Sequence, residues 1–123
     1  MNHLTALEKC IIDYMKEIIE LNFSGENFDV LYHIDDDLFK LFINFPNGIV
    51  VIELDNDEPD MMYIYAYITN TKILAMLDLA SNQKIFTQAI PYNFQNLEDD
   101  GWVNAVFAAR GIIEKKMKEA GLK

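Results

Sequence analysis

Apolar positions near the start of the chain recur at three- and four-residue steps: Leu4, Leu7, Ile11, Tyr14, Ile18 and Leu21, with Cys10, Met15 and Ile19 widening the stripe. That period is one face of an α-helix, so a helix is predicted over about residues 4–21. Lys9, Asp13, Lys16, Glu17 and Glu20 share the opposite face, and Ser24-Gly25 lets the chain turn. The period then changes to two. Phe28, Val30, Tyr32 and Ile34 alternate with Asp29, Leu31 and His33, which reads as a strand. Asp35-Asp36-Asp37 makes a turn, and a second strand places Phe39, Leu41, Ile43 and Phe45 on one face. Pro46-Asn47-Gly48 is a hairpin signal, because Asn-Gly tolerates the positive φ of tight turns. Ile49–Leu54 is a third strand, Asp55–Asp60 a solvated loop, and Met61–Ile68 a fourth strand.

Residues 71–83 fit two patterns. Ile73, Leu74, Leu77 and Ala80 lie on one helical face, capped by Asn70 or Thr71. Ile73, Ala75, Leu77 and Leu79 also alternate, and Ser81-Asn82-Gln83 can turn a hairpin, so a strand pair over Lys72–Leu79 and Lys84–Pro91 is expected. A closing helix spans about residues 97–120. Trp102, Val106, Ala109, Ile113, Met117 and Ala120 form its buried stripe, flanked by Val103 and Phe107. Glu98, Asp99 and Asp100 sit in its first turn, Lys115, Lys116 and Lys118 near its end, and Gly121 is its stop. Small residues Ala105, Ala108, Ala109 and Gly111 are read as packing against large sheet side chains. The fold expected is α+β: an antiparallel meander of four to six strands between N-terminal and C-terminal amphipathic helices, one domain over residues 1–123.

Charge changes the picture more than composition does. The net charge is −10, and it is uneven: residues 1–100 carry 18 acids against five lysines, while residues 101–123 carry five bases against two acids. An acidic field repels nucleic acid and anionic membrane and attracts basic partners, so neither of the first two is expected as a ligand. A single cysteine excludes an intrachain disulfide. No apolar run approaches the ~20 residues needed to cross a bilayer, and Met1–Thr5 lacks a signal-peptide pattern, so a cytoplasmic location is expected.

Catalytic chemistry finds no foothold. Asp55–Asp60 starts like a calcium loop, but Pro59 holds the fifth position and no glutamate the twelfth. His3, His33 and Cys10 lack zinc-ligand spacing. Ser24 and Ser81 stand in turns without a nucleophile-elbow pattern. Cys10 with His33 is open by spacing, yet Cys10 reads as a small buried hydrophobe on the apolar face of the first helix. No catalytic, metal or cofactor-binding residues are assigned.

The sheet itself is the most informative feature. Tyr63, Tyr65 and Tyr67 project from one face of the fourth strand, and Met62, Ile64, Ala66 and Ile68 from the other; the third strand is apolar on both faces. A sheet covered on one side alternates apolar with polar, and this one does not. If both helices share one face, the other presents an aromatic patch of the kind that marks interfaces. The candidate protein-binding residues are therefore Tyr63, Tyr65 and Tyr67 with the acids Asp35, Asp36, Asp37, Asp55, Asp57 and Glu58.

In the order of its elements the chain resembles the small acidic chaperones of type III secretion systems. The likeness lies in Ile49-Val50-Val51-Ile52-Glu53-Leu54, the acidic loop, Met62-Tyr63-Ile64-Tyr65-Ala66-Tyr67, and a strand ending near Ala89-Ile90-Pro91 before the long helix from Leu97. That family places a helix between its third and fourth strands, whereas here strand 61–68 follows the acidic loop directly. The resemblance implies a homodimer that holds an extended protein segment along apolar surface. The function expected is a non-enzymatic, chaperone-like or adaptor module with a protein partner or a second copy. The alternatives are an immunity or antitoxin protein that neutralises a basic toxin, and a small apolar-ligand-binding domain.

Overall fold

Alternating sequence over residues 29–91 becomes a five-stranded antiparallel sheet in the order of the chain: β1 (Asp29–Asp35), β2 (Leu38–Asn44), β3 (Gly48–Asp55), β4 (Met61–Ile68) and β5 (Phe86–Pro91). The structure is a computed structural model and describes residues 6–35, 38–55, 58, 60–92 and 101–122. Helix α1 (Ala6–Asn22) precedes the sheet, a short α2 (Thr71–Met76) interrupts it, and α3 (Trp102–Glu119) follows it. The α+β meander between terminal helices is the architecture that the hydrophobic periods predict.

Both long helices pack on the same side. Every strand residue of the main core comes from one face of the sheet: Phe39, Leu41 and Ile43 of β2, Val50, Ile52 and Leu54 of β3, and Met62, Ile64, Ala66 and Ile68 of β4. Ile11, Ile12, Met15 and Ile19 of α1 join that cluster, as do Trp102, Ala105, Val106, Ala109 and Ile113 of α3. Helix α3 lies over β3, β4 and β5. At the far end of α1, Phe23 packs on Phe28 and Phe45, which flank the β1–β2 pair, and its ring lies 4.5 Å from that of Phe107 on α3. Arg110 of α3 closes the same corner, its Nε donating to Glu26 Oε1 at 2.6 Å.

Several local expectations need correction. The buried stripe of α1 is Ile11, Ile12, Met15 and Ile19, continued by Phe23, while Leu21 is 67 % exposed. Two apolar stripes lie side by side on this helix, and the one in line with Phe23 is drawn into the core. Cys10 falls outside that stripe and is exposed, not buried. The strand pair expected at 72–79 and 84–91 is instead one helix, one connection and one strand. Asn70 decides this: its Oδ1 accepts from the backbone N–H of Lys72 and Ile73, which satisfies two donors at a helix start. Its Nδ2 donates to Asn47 Oδ1 at 2.9 Å, tying the cap to the β2–β3 turn, and Ile73 is swallowed by the core. At the other end Asp78 adopts φ 54, and the N–H groups of Asp78 and Leu79 return to Ala75 and Leu74 in a Schellman closure.

The β2–β3 turn also works differently from expectation. Phe45 N–H donates to the Gly48 carbonyl at 2.8 Å, but neither Asn47 nor Gly48 takes positive φ. Positive φ is used at Gly25 and Gly121, where α1 and α3 end. Residues 98–100, expected in the first turn of the last helix, lie outside the described residues. Ala105 and Ala109 are buried as packing predicts, while Ala108 and Gly111 face outward. Among the described residues no helix is long and apolar enough to cross a membrane.

Candidate functional site: the uncovered face of the sheet

With both long helices on one side, neither covers the opposite face. Cross-strand register assigns its side chains in rows. Leu31, Phe42, Val51, Tyr65 and Thr87 stand opposite one another across the whole sheet. His33, Lys40, Glu53, Tyr63 and Ala89 form the adjacent row, and Asn44, Ile49 and Tyr67 the row on the other side.

The centre of this face is buried, although no helix lies over it. Val51 is 1 % exposed and Tyr65 6 % exposed, yet neither belongs to the main core cluster. These two positions are directly paired across β3 and β4, and they are where both strands break the alternation of buried and half-buried residues. Phe42, Ile49, Tyr63 and Tyr67 around them are half-buried. Tyr65 and Tyr67 meet edge to face, with ring centroids 5.6 Å apart.

Polar groups ring that centre. Tyr65 Oη donates to Glu53 Oε1 at 2.8 Å, and Lys40 Nζ lies 3.6 Å from the same carboxylate oxygen. Lys84 Nζ sits 4.2 Å from the Tyr65 ring centroid, a cation over a π face. Tyr63 Oη donates to Glu58 Oε2 in the β3–β4 loop. The hydrogen bond to Glu58 is the main cause that raises the Tyr63 phenol above its ordinary range. Burial, then the Glu53 hydrogen bond, raises Tyr65, and burial with the Glu53 charge raises Tyr67. All three phenols therefore remain protonated at neutral pH, with the protons of Tyr63 and Tyr65 committed to Glu58 and Glu53, and they present ring area at the surface. An apolar centre inside a charged rim is also the anatomy of protein interfaces.

Of the residues that the sequence picks out, Tyr63, Tyr65 and Tyr67 share this face with Glu58 at its border and with Asp55, half-buried at the end of β3. Asp35 ends β1 opposite Leu38. Asp36, Asp37 and Asp57 lie outside the described residues. Sequence reasoning misses Glu53, Lys40 and Lys84 as rim groups. The parity of β2 and β3 could have found the first two, since Lys40 and Glu53 fall on the tyrosine side; Lys84 reaches Tyr65 from outside any strand and leaves no periodic signal. His33 also projects from this face, so the sheet separates it from Cys10 on α1 and the two form no dyad. Among the described residues no three His, Cys, Asp or Glu side chains gather as metal ligands.

A second concavity lies at the end of the helix layer. It has about 220 Å³ of space, lined by Glu26, Asn47, Phe45, Arg110, Ile113 and Met117. Its cation, Arg110, is already paired with Glu26 and, at 2.9 Å, with Glu114. No family model, curated protein or solved structure matches the chain.

Proposed function

We propose that the chain is a non-enzymatic protein-binding module, chaperone-like or adaptor, that takes a protein partner on the uncovered face of its sheet and acts as a dimer. The observation that carries this reading is the position of the long helices: both lie on one face, and the other presents half-buried Phe42, Ile49, Tyr63 and Tyr67 around the buried pair Val51 and Tyr65, within a rim of Lys40, Glu53 and Lys84. Tyrosine contributes ring area at low entropic cost, and a hydroxyl that already donates to a carboxylate, as in Tyr63 and Tyr65, keeps its oxygen as an acceptor. The order of elements, which resembles that of type III secretion chaperones, agrees with an extended client laid on apolar surface.

The experiment is binding to the polypeptide encoded beside this gene, by calorimetry, with Tyr67→Lys and Ile49→Lys as variants. These two residues face each other across β3 and β4, so either lysine puts a charge into the apolar row. Client binding should fall at least about tenfold in each, with little dependence on salt. Unchanged affinity in both variants would remove the face from consideration. The immunity reading draws support from the net charge of −10 and from exposed Glu58 and Asp60 beside the tyrosines. It predicts a basic partner and a steep loss of affinity with added salt.

A further inference from the structure

We propose that a second copy of the chain joins the sheet through β1, in the antiparallel register that sets Leu31 opposite Leu31 and Asp29 opposite His33. The sheet ends in two outer strands, β1 and β5. On the side away from its sheet neighbour an outer strand offers backbone N–H and C=O groups to a further strand, here over residues 29–33 of β1, and proteins guard such edges with proline, lysine, bulges or a covering element. β5 ends in Pro91 and exposes Thr87, Gln88 and Ala89. β1 has neither proline nor lysine, and it exposes Leu31 on one face (59 %) and Tyr32 on the other (48 %).

Register follows from charge. Residues directly opposite in an antiparallel pair share a face, so a twofold axis normal to the sheet must pass through one residue of β1 and its own copy. Centred on Tyr32, the pairing would put Asp29 against Asp35 at both ends, like charge against like. Centred on Leu31, it pairs Val30 with Tyr32 on the helix side and Asp29 with His33 on the open side, each twice by symmetry. Behind His33 stands its neighbour on β2, Lys40, so the Asp29 carboxylate of the second copy faces an imidazole N–H donor backed by an ammonium. Helix-side Tyr32 gains the branched Val30 as cover. The two uncovered faces then lie on the same side of one continuous sheet and form a single longer surface.

This names the surface of the dimer and does not depend on where a client binds, since it uses β1 alone. A strand pair is smaller than the ~1,200 Å² of standard interfaces, so exchange in the micromolar range is expected. Sedimentation velocity on the full chain, from about 1 to 200 µM, tests this. His33→Glu sets a carboxylate against Asp29 of the second copy at two symmetric places and should weaken the dimer about tenfold or more. Adding Asp29→Lys to His33→Glu exchanges the charges and should restore it. In a Cys10→Ser background, Leu31→Cys should cross-link to itself on oxidation. All these positions are exposed, and circular dichroism with a thermal melt checks folding of each variant. A wild-type monomer at the highest concentration, a His33→Glu variant that dimerises like wild type, or no recovery in the charge exchange would overturn the proposal. Tyr67→Lys, on β4, should leave the dimer intact while weakening client binding at least about tenfold. Loss of the dimer there would move the contact to the open face and overturn edge pairing.

Discussion

A methyl group on Gly48 has nowhere to go. Its Cβ would sit 2.7 Å from the Tyr67 carbonyl oxygen and 2.9 Å from Ile113 Cδ1. The first neighbour is backbone of the paired strand and the second belongs to α3, so relief requires the sheet or the helix to move. Gly48→Ala should destabilise the fold by about 1–3 kcal/mol, the usual cost of overpacking, read as a lower midpoint in chemical denaturation with an unchanged slope. Asn-Gly marks this turn in the sequence, but for a different reason. The dipeptide suggests positive φ, whereas the structure uses the missing side chain for close approach, and the atoms approached lie 19 and 65 residues away. Local pattern carries the turn; its cause is tertiary.

At the scale of elements, period alone identifies α1, the first four strands and α3, because each buries one side against a common core. It fails where a segment satisfies two periods at once. Over residues 71–79 the deciding group is one side chain outside the pattern, Asn70, which caps α2 and reaches Asn47. Asn70→Ala should therefore cost more than an ordinary cap, about 1–2 kcal/mol, with a thermal midpoint lower by several degrees. On α1 the period is right and the stripe is shifted: Ile11, Met15 and Ile19 are buried as their spacing predicts, but Ile12 joins them while Leu21 and Cys10 stay exposed, because neighbouring stripes are both apolar and packing selects between them. Met15 is fully buried, so Met15→Ala should cost about 2–5 kcal/mol. Leu21→Ala should stay within about 0.5 kcal/mol, as an exposed position does. A loss at Leu21 as large as that at Met15 would return Leu21 to the buried stripe.

For the whole molecule, the tyrosine face gives stability a dependence on alkaline pH. The phenols of Tyr63, Tyr65 and Tyr67 are all held above their ordinary value of 10.0 in the folded chain. Above that value the unfolded chain releases protons that the folded chain keeps, so stability is full below about pH 10 and falls as pH rises past it. Urea midpoints measured from pH 8 to 11 should decline, and Tyr65→Phe should flatten the decline while losing the bond to Glu53. The tyrosines, and the doubly apolar β3 beside them, are legible from sequence as a face in need of cover. What covers it is not, because two helices can sit on one side of a sheet or on both without any change in their own periods. The meander order adds a consequence in time. Strands pair with their immediate predecessors, so during synthesis the sheet is complete at Pro91 while α3, which covers β3, β4 and β5, has yet to be made. At about 5–20 residues per second, the last stretch takes on the order of seconds. In that interval the part of the helix-side face that α3 will cover, over β3, β4 and β5, is still open although α1 is already made, and a second nascent chain nearby offers it the same strands.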